Sequence, residues 1–103
     1  MENINQTQWQ NLISEDANAV IIDVRTPMEW EEGIQNGALL MNIQNTAKFI
    51  HDMESMDKSK IYYIYCRSGG RSGQACMLMN AKGFKTYNLS GGMLSWTGEV
   101  VAP

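Results

Sequence analysis

Apolar residues along this chain gather in short runs broken by polar turns, and runs with helical spacing alternate with runs that read as strands. Trp9, Leu12 and Ile13 recur at helical spacing behind Asn5 and Gln8, a pair spaced as in a capping box, so a short helix is predicted before the polar break Ser14-Glu15-Asp16. Ala19 to Val24 is a near-continuous β-branched run that suits a strand buried on both faces and ends among the charges of Asp23 and Arg25. Pro27 can open a helical turn carrying Glu29, Trp30, Glu31 and Glu32, with Gly33 and Gly37 punctuating the loop that follows.

Leu39 to Ile43 reads as a second strand. Thr46 to Met56 reads as a helix with Phe49, Ile50, Met53 and Met56 on one face. Ile61 to Tyr65 is a third strand that runs directly into Cys66 and a glycine-bearing loop, and Ser72 to Lys82 is the helix after it. Gly83 stops that helix, Phe84 to Leu89 makes a fourth strand, and Gly91-Gly92 leads into a last short helix with Met93 and Trp96. The tail from Glu99 to Pro103 is expected to fray.

Such alternation implies an α/β fold with a central, mostly parallel sheet of four to five strands and helices on both faces. Ligands of such sheets bind beyond the carboxyl ends of the strands, where Cys66 falls. No linker, repeat or low-complexity tract interrupts the pattern, so residues 1–103 are expected to form a single domain.

The bulk numbers narrow the function. Eight Lys and Arg against 11 Asp and Glu give a net charge of −3, with no basic tract to follow a phosphate backbone, so nucleic acid is not an expected partner. Met1 to Asn5 has neither a cationic segment nor an apolar one, and no window approaches a membrane span. A soluble, cytoplasmic protein with no membrane association is expected. Two cysteines, Cys66 and Cys76, are too few for a disulfide framework and are not spaced as a redox or zinc pair, and His51 is the lone histidine. No metal and no cofactor is expected.

The chemistry concentrates in Cys66-Arg67-Ser68-Gly69-Gly70-Arg71, between the third strand and the next helix. Gly69 and Gly70 let the backbone curl so that successive N–H groups converge at the positive end of a helix, which is a nest for an anion. With a cysteine at its edge, the first anion to occupy the nest is the thiolate. A free thiol titrates near 8.5, and helix N-termini or neighbouring arginines lower that to roughly 3.5 to 7.5. Cys66 is therefore expected to be a nucleophile near neutral pH without a dedicated base. His51, in a separate helix beside Asp52, reads as a solvated surface residue.

Arg67 and Arg71 add two planar cationic forks suited to clamping a sulfonate or similar oxyanion. The bland alternative is an inert buried thiol with decorative surface arginines. Gly-Gly and two arginines flanking the thiol at a strand–helix junction favour the reactive reading.

Together these residues resemble the rhodanese family, in its stand-alone single-domain form, over nearly the whole chain. The resemblance is carried by Asp23-Val24-Arg25-Thr26-Pro27 with Glu29-Trp30, the loop Cys66 to Arg71, Ala75 with Gly83-Phe84, and Gly91-Gly92 followed by Trp96. It implies a rhodanese-like fold and a thiosulfate-type sulfurtransferase. Cys66 would attack the sulfane sulfur of thiosulfate or a similar small anionic donor, sulfite would leave, and the persulfide would pass sulfur to cyanide, to a thiol or to a sulfur-relay protein. In that reading Arg67 grips the sulfonate, the backbone amides of Ser68, Gly69, Gly70 and Arg71 hold the persulfide, and Asp23 and Arg25 are supporting framework. The family's Gly-His-Ile-Pro-Gly-Ala appears here as Gly33-Ile34-Gln35-Asn36-Gly37-Ala38, so the histidine and proline are missing and the conformation of that loop is left open.

Two rival functions, and one second thiol, stand beside this reading. A persulfide carrier or partner-binding module would keep the same cysteine. A phosphatase or arsenate reductase of the same fold has a loop one residue longer, wide enough for a tetrahedral phosphate, whereas this chain has C-x4-R. Cys76 could resolve a persulfide, but with Ala75 and Met79 it falls on the inward face of its helix and reads as packing. The methionines at 53, 56, 77, 79 and 93 read as filler, and Glu29, Glu31 and Glu32 as a solvated face.

Overall fold

The computed structural model describes residues 1–103 and contains five strands and four α-helices. In chain order they are β1 (Glu2–Ile4), α1 (Gln6–Ser14), β2 (Val20–Asp23), α2 (Pro27–Trp30), β3 (Leu39–Leu40), α3 (Thr46–Glu54), β4 (Ile61–Tyr65), α4 (Gly70–Ala81) and β5 (Lys85–Leu89). A 3-10 turn at Gly92–Leu94 stands where a last short helix is expected. The strand order is β1-β5-β4-β2-β3, and every pairing is parallel.

β4 is central, and its alternation divides the core. Tyr62, Ile64 and Cys66 face one way and pack with Phe49 and Met53 of α3 and with Ala75, Cys76 and Met79 of α4. Tyr63 and Tyr65 face the other way and pack with Trp9 of α1 and with Leu89, Met93 and Trp96. Trp9 meets Tyr63 and Tyr65 edge-on, with ring centroids 5.6 Å and 6.2 Å apart. Helices therefore cover both faces, and the strand buried on both of them delivers Cys66 to its carboxyl end.

The capping box at Asn5 and Gln8 is present in both directions. Four expectations need correction. The strand expected at 39–43 is reduced to Leu39–Leu40, because the Asn42 side chain accepts from the N–H of Gln44 and turns the chain away. The helix expected to reach Met56 ends at Glu54. β1 is an additional strand, registered Glu2↔Tyr87, Asn3↔Asn88 and Ile4↔Leu89.

The tail is not frayed. Ile34 and Val101 exchange two backbone hydrogen bonds of 2.9 Å as an antiparallel bridge, and Val100 presses on the bare Cα of Gly33. No helix is long and apolar enough to cross a membrane.

Candidate active site

Cys66 follows the last residue of β4, and its loop closes back over the sulfur. Gly69 adopts the left-handed conformation, φ +107°, that N-caps α4, and its N–H donates to Cys66 Sγ at 3.0 Å. The Ser72 hydroxyl lies 3.3 Å from the same sulfur. Burial pushes the thiol up, but hydrogen bonds from the Ser72 hydroxyl and from the backbone N–H groups of Ser72, Gly69 and Ser68 outweigh it, leaving Cys66 below an ordinary cysteine. The positive end of α4 acts in the same direction. Cys76 lacks this cradle, and burial pushes its thiol up to about 11. It is fully buried packing, as its place on the inner helix face suggests.

At the resting thiol, the amides of Ser68 and Gly69 point at Sγ together with the hydroxyl and N–H of Ser72, a donor outside the four residues 68–71 expected to hold a persulfide. Cys66 has no exposed surface, whereas the expectation placed it at the edge of the loop. A substrate must therefore displace part of the mouth to reach it.

Asn88, which sequence reasoning missed, holds this arrangement. Its Nδ2 donates to the carbonyl of Gly69 at 3.1 Å and to Asn3 Oδ1 at 2.9 Å, so its Oδ1 faces the Ser72 hydroxyl. Register pairing of Asn3 with Asn88 makes β1 part of the support. The signal was available: Thr86 and Asn88 are polar residues two apart on β5, both buried, and a buried amide needs partners.

Gly92 supports the loop from the other side. A Cβ there would lie 2.5 Å from the carbonyl oxygen of Cys66 and 2.6 Å from that of Arg67, and φ is +53°. This close approach lets the N–H groups of Met93 and Leu94 donate to those two carbonyls at 3.0 Å and 2.9 Å. The Gly91-Gly92 pair is thereby explained as a docking point for the start of the loop.

Asp23 and Arg25 form a buried framework pair at the end of β2. Arg25 Nη2 donates to Asp23 Oδ2 at 2.8 Å and to the carbonyl of Gly33 at 2.7 Å, and Nε donates to Asp23 Oδ1 at 3.0 Å. The segment that lacks the family histidine and proline is held by its own contacts. Gln35 is buried, its N–H donates to Tyr65 Oη at 3.0 Å, and its Oε1 accepts from Trp9 Nε1 at 3.0 Å.

The two loop arginines differ. Arg67 is exposed, forms no ion pair, and lines a cleft of about 310 Å³ with Glu32, Leu94 and Val100 among others. Arg71 is not a free clamp. Its Nη1 and Nη2 donate to Glu29 Oε1 and Oε2 at 2.6 Å and 2.8 Å. Glu29 is correspondingly no solvated residue: its side chain is 18% exposed, and it also caps α2 through Thr26. The Arg71 fork holds the Glu29 carboxyl down at about 2. Glu31 and Glu32 are exposed, as expected, and so is His51. Two larger hollows, each of about 460 Å³, lie elsewhere, and neither is lined by a thiol or a guanidinium.

A family model described as rhodanese-like domain matches residues 5–99. YtwF of Bacillus subtilis, named as a sulfurtransferase, is 35% identical over 99 residues, which cover 96% of this chain and 93% of that protein. A protein of Allochromatium vinosum named sulfurtransferase is 32% identical over 95 residues, covering 88% and 86% of the two chains. The crystal structure of a rhodanese-like domain protein from Staphylococcus aureus is similar with a TM-score of 0.86 at 30% identity, over 100% of this chain and 99% of that one.

Proposed function

The chain belongs to the rhodanese-like domain family, with relatives named sulfurtransferases, and from that premise we propose that it carries sulfane sulfur on Cys66 from an anionic donor such as thiosulfate to a thiol or cyanide. The observation that carries this reading is the convergence of the Gly69 amide and the Ser72 hydroxyl on a cysteine sulfur at the carboxyl end of a central parallel strand.

In the first half-reaction the Cys66 thiolate attacks the outer sulfur of thiosulfate. A new S–S bond forms, the old one breaks, and its electron pair leaves with sulfite. The product is a Cys66 persulfide anion, whose outer sulfur extends the charge toward the mouth. In the second half, an acceptor thiolate attacks that outer sulfur, and the electron pair of the breaking bond returns to Cys66. Charge is conserved in both steps. The donors that stabilise the starting thiolate also stabilise the returning one, so the cradle lowers the cost of both the first and the last state. Arg67, exposed beside the loop and unpaired, is the guanidinium free to meet a sulfonate.

Phosphatase chemistry fits the site poorly, because the guanidinium that would receive phosphate at the end of the loop, Arg71, is bound to Glu29. The test is intact mass after incubation with thiosulfate, followed by addition of cyanide or a thiol. A gain of one sulfur that disappears in Cys66→Ser and is discharged by the acceptor supports the proposal. No gain, with loading only by a partner protein, identifies a carrier instead. Aryl phosphate turnover without sulfur transfer overturns the reading.

A further inference from the structure

Three arginines belong to the Cys66 loop or to the adjoining end of β2, and two are already committed. Arg25 is bound to Asp23 and the Gly33 carbonyl, Arg71 is bound through both nitrogens to Glu29, and Arg67 is left. Glu29 is fixed as well as charged, since Thr26 donates to the same carboxylate oxygen through its N–H and its hydroxyl, at 3.2 Å and 3.0 Å. An incoming dianion must therefore compete for Arg71 with Glu29, a positioned carboxylate that lines the same cleft as Arg67 and a second carboxylate, Glu32. Arg25 and Arg67 line the same cleft, and its apolar part is Met93 with Leu94, 64% exposed, and Val100, 48% exposed.

Donors of sulfane sulfur differ in what they leave behind. Thiosulfate leaves sulfite, a dianion with three oxygens that each want a donor. An organic persulfide leaves a thiolate on carbon, whose organic part gains from an apolar wall and makes no claim on a second guanidinium.

We infer that Glu29 is a specificity-determining residue: by holding the Arg71 fork it withholds a guanidinium from the sulfonate and tilts the site from thiosulfate toward organic persulfide donors. This rests on the sulfur-transfer reading above. Glu29 stays ionised at any pH at which sulfur transfer is assayed, because Arg71 and Thr26 hold its carboxyl at about 2, so the withholding is permanent rather than switched.

The test measures kcat/KM with thiosulfate and with the persulfide of 2-mercaptoethanol, whose organic part is uncharged, cyanide being the acceptor, for wild type, Glu29→Gln and the double variant Glu29→Gln/Arg71→Gln. Glutamine keeps an oxygen for Thr26 but no charge for Arg71. In Glu29→Gln the thiosulfate-to-persulfide ratio should rise about tenfold or more, the effect of one freed charge-assisted contact. In the double variant it should return to within about twofold of wild type, because a fork already withheld contributes nothing when removed. A ratio unmoved in Glu29→Gln, equal gains with both donors, or a tenfold fall in the double variant would each overturn the inference. Protection of Cys66 from iodoacetamide by sulfate supplies a readout without turnover. It should strengthen about tenfold in Glu29→Gln, and no change would count against Glu29 even if no donor loads the wild-type protein and the sulfur-transfer reading itself falls.

Discussion

The Ser72 hydroxyl stands 3.3 Å from Cys66 Sγ and equally within reach of Asn88 Oδ1, so two acceptors share one proton. The orientation of Asn88 is fixed by its donation to the Gly69 carbonyl. While Cys66 is a thiol, the hydroxyl can serve Asn88 and accept from the sulfur. When Cys66 ionises, the hydroxyl can turn to the thiolate. Ser72→Ala should therefore raise the thiol pKa by about one unit or more, since a hydrogen bond to a charged group contributes about 1.5–3 kcal/mol and one unit corresponds to about 1.4 kcal/mol. Alkylation rates at neutral pH should fall accordingly. An unchanged profile would remove Ser72 from the site.

Gly92→Ala should be among the most damaging single changes. Its Cβ would meet backbone oxygens of Cys66 and Arg67 at 2.5 Å and 2.6 Å, and neither can rotate away as a side chain would. With the added strain of φ +53°, a loss of about 2–4 kcal/mol is expected, together with a displaced loop. Chemical denaturation reads the first effect and Cys66 alkylation the second. A variant of wild-type stability and reactivity would contradict the docking role of the turn.

Arg67→Ala should weaken use of thiosulfate by about ten- to a hundredfold in kcat/KM, chiefly through KM, as expected for one charge-assisted contact to the donor. An unchanged KM for thiosulfate would count against Arg67 as the sulfonate contact.

The Glu29–Arg71 pair predicts a stability that depends on acid. The Glu29 carboxyl has a folded value of about 2 against an ordinary 4.5, so its contribution is complete above pH 4.5 and is lost as pH falls toward 2. Wild-type melting temperature should drop more steeply than that of Glu29→Gln across this window. Parallel curves would mean that the ion pair contributes nothing to folding.

Much of the fold and the site was legible from sequence because the strongest signals coincide. The aromatic and β-branched run Ile61–Tyr65, the glycines after Cys66 and the helix behind them specify strand, nest and helix in order. β1 was not legible: two of its three residues, Glu2 and Asn3, are exposed and polar, and the strand exists only through pairing with β5. Glu29 read as a solvated surface charge and Arg71 as a clamp for an oxyanion, and only the fold brings residues 42 positions apart into contact. A local clue was present in Thr26 and Glu29, three apart, which form the capping box of α2. The tail carried a clue too, since Val100 and Val101 are apolar and find Gly33 and Ile34.

The most direct test of the reactive Cys66 is the pH dependence of its alkylation by iodoacetamide, with Cys66→Ser as the background. Both thiols are buried, but that of Cys76 is pushed up to about 11 and should not contribute at neutral pH. A midpoint clearly below the ordinary cysteine value of about 8.5, rising in Ser72→Ala, is the expected result. A midpoint at or above that value would mean that the amides and hydroxyl around the sulfur do not hold a thiolate, and the proposed sulfur transfer would lose its nucleophile.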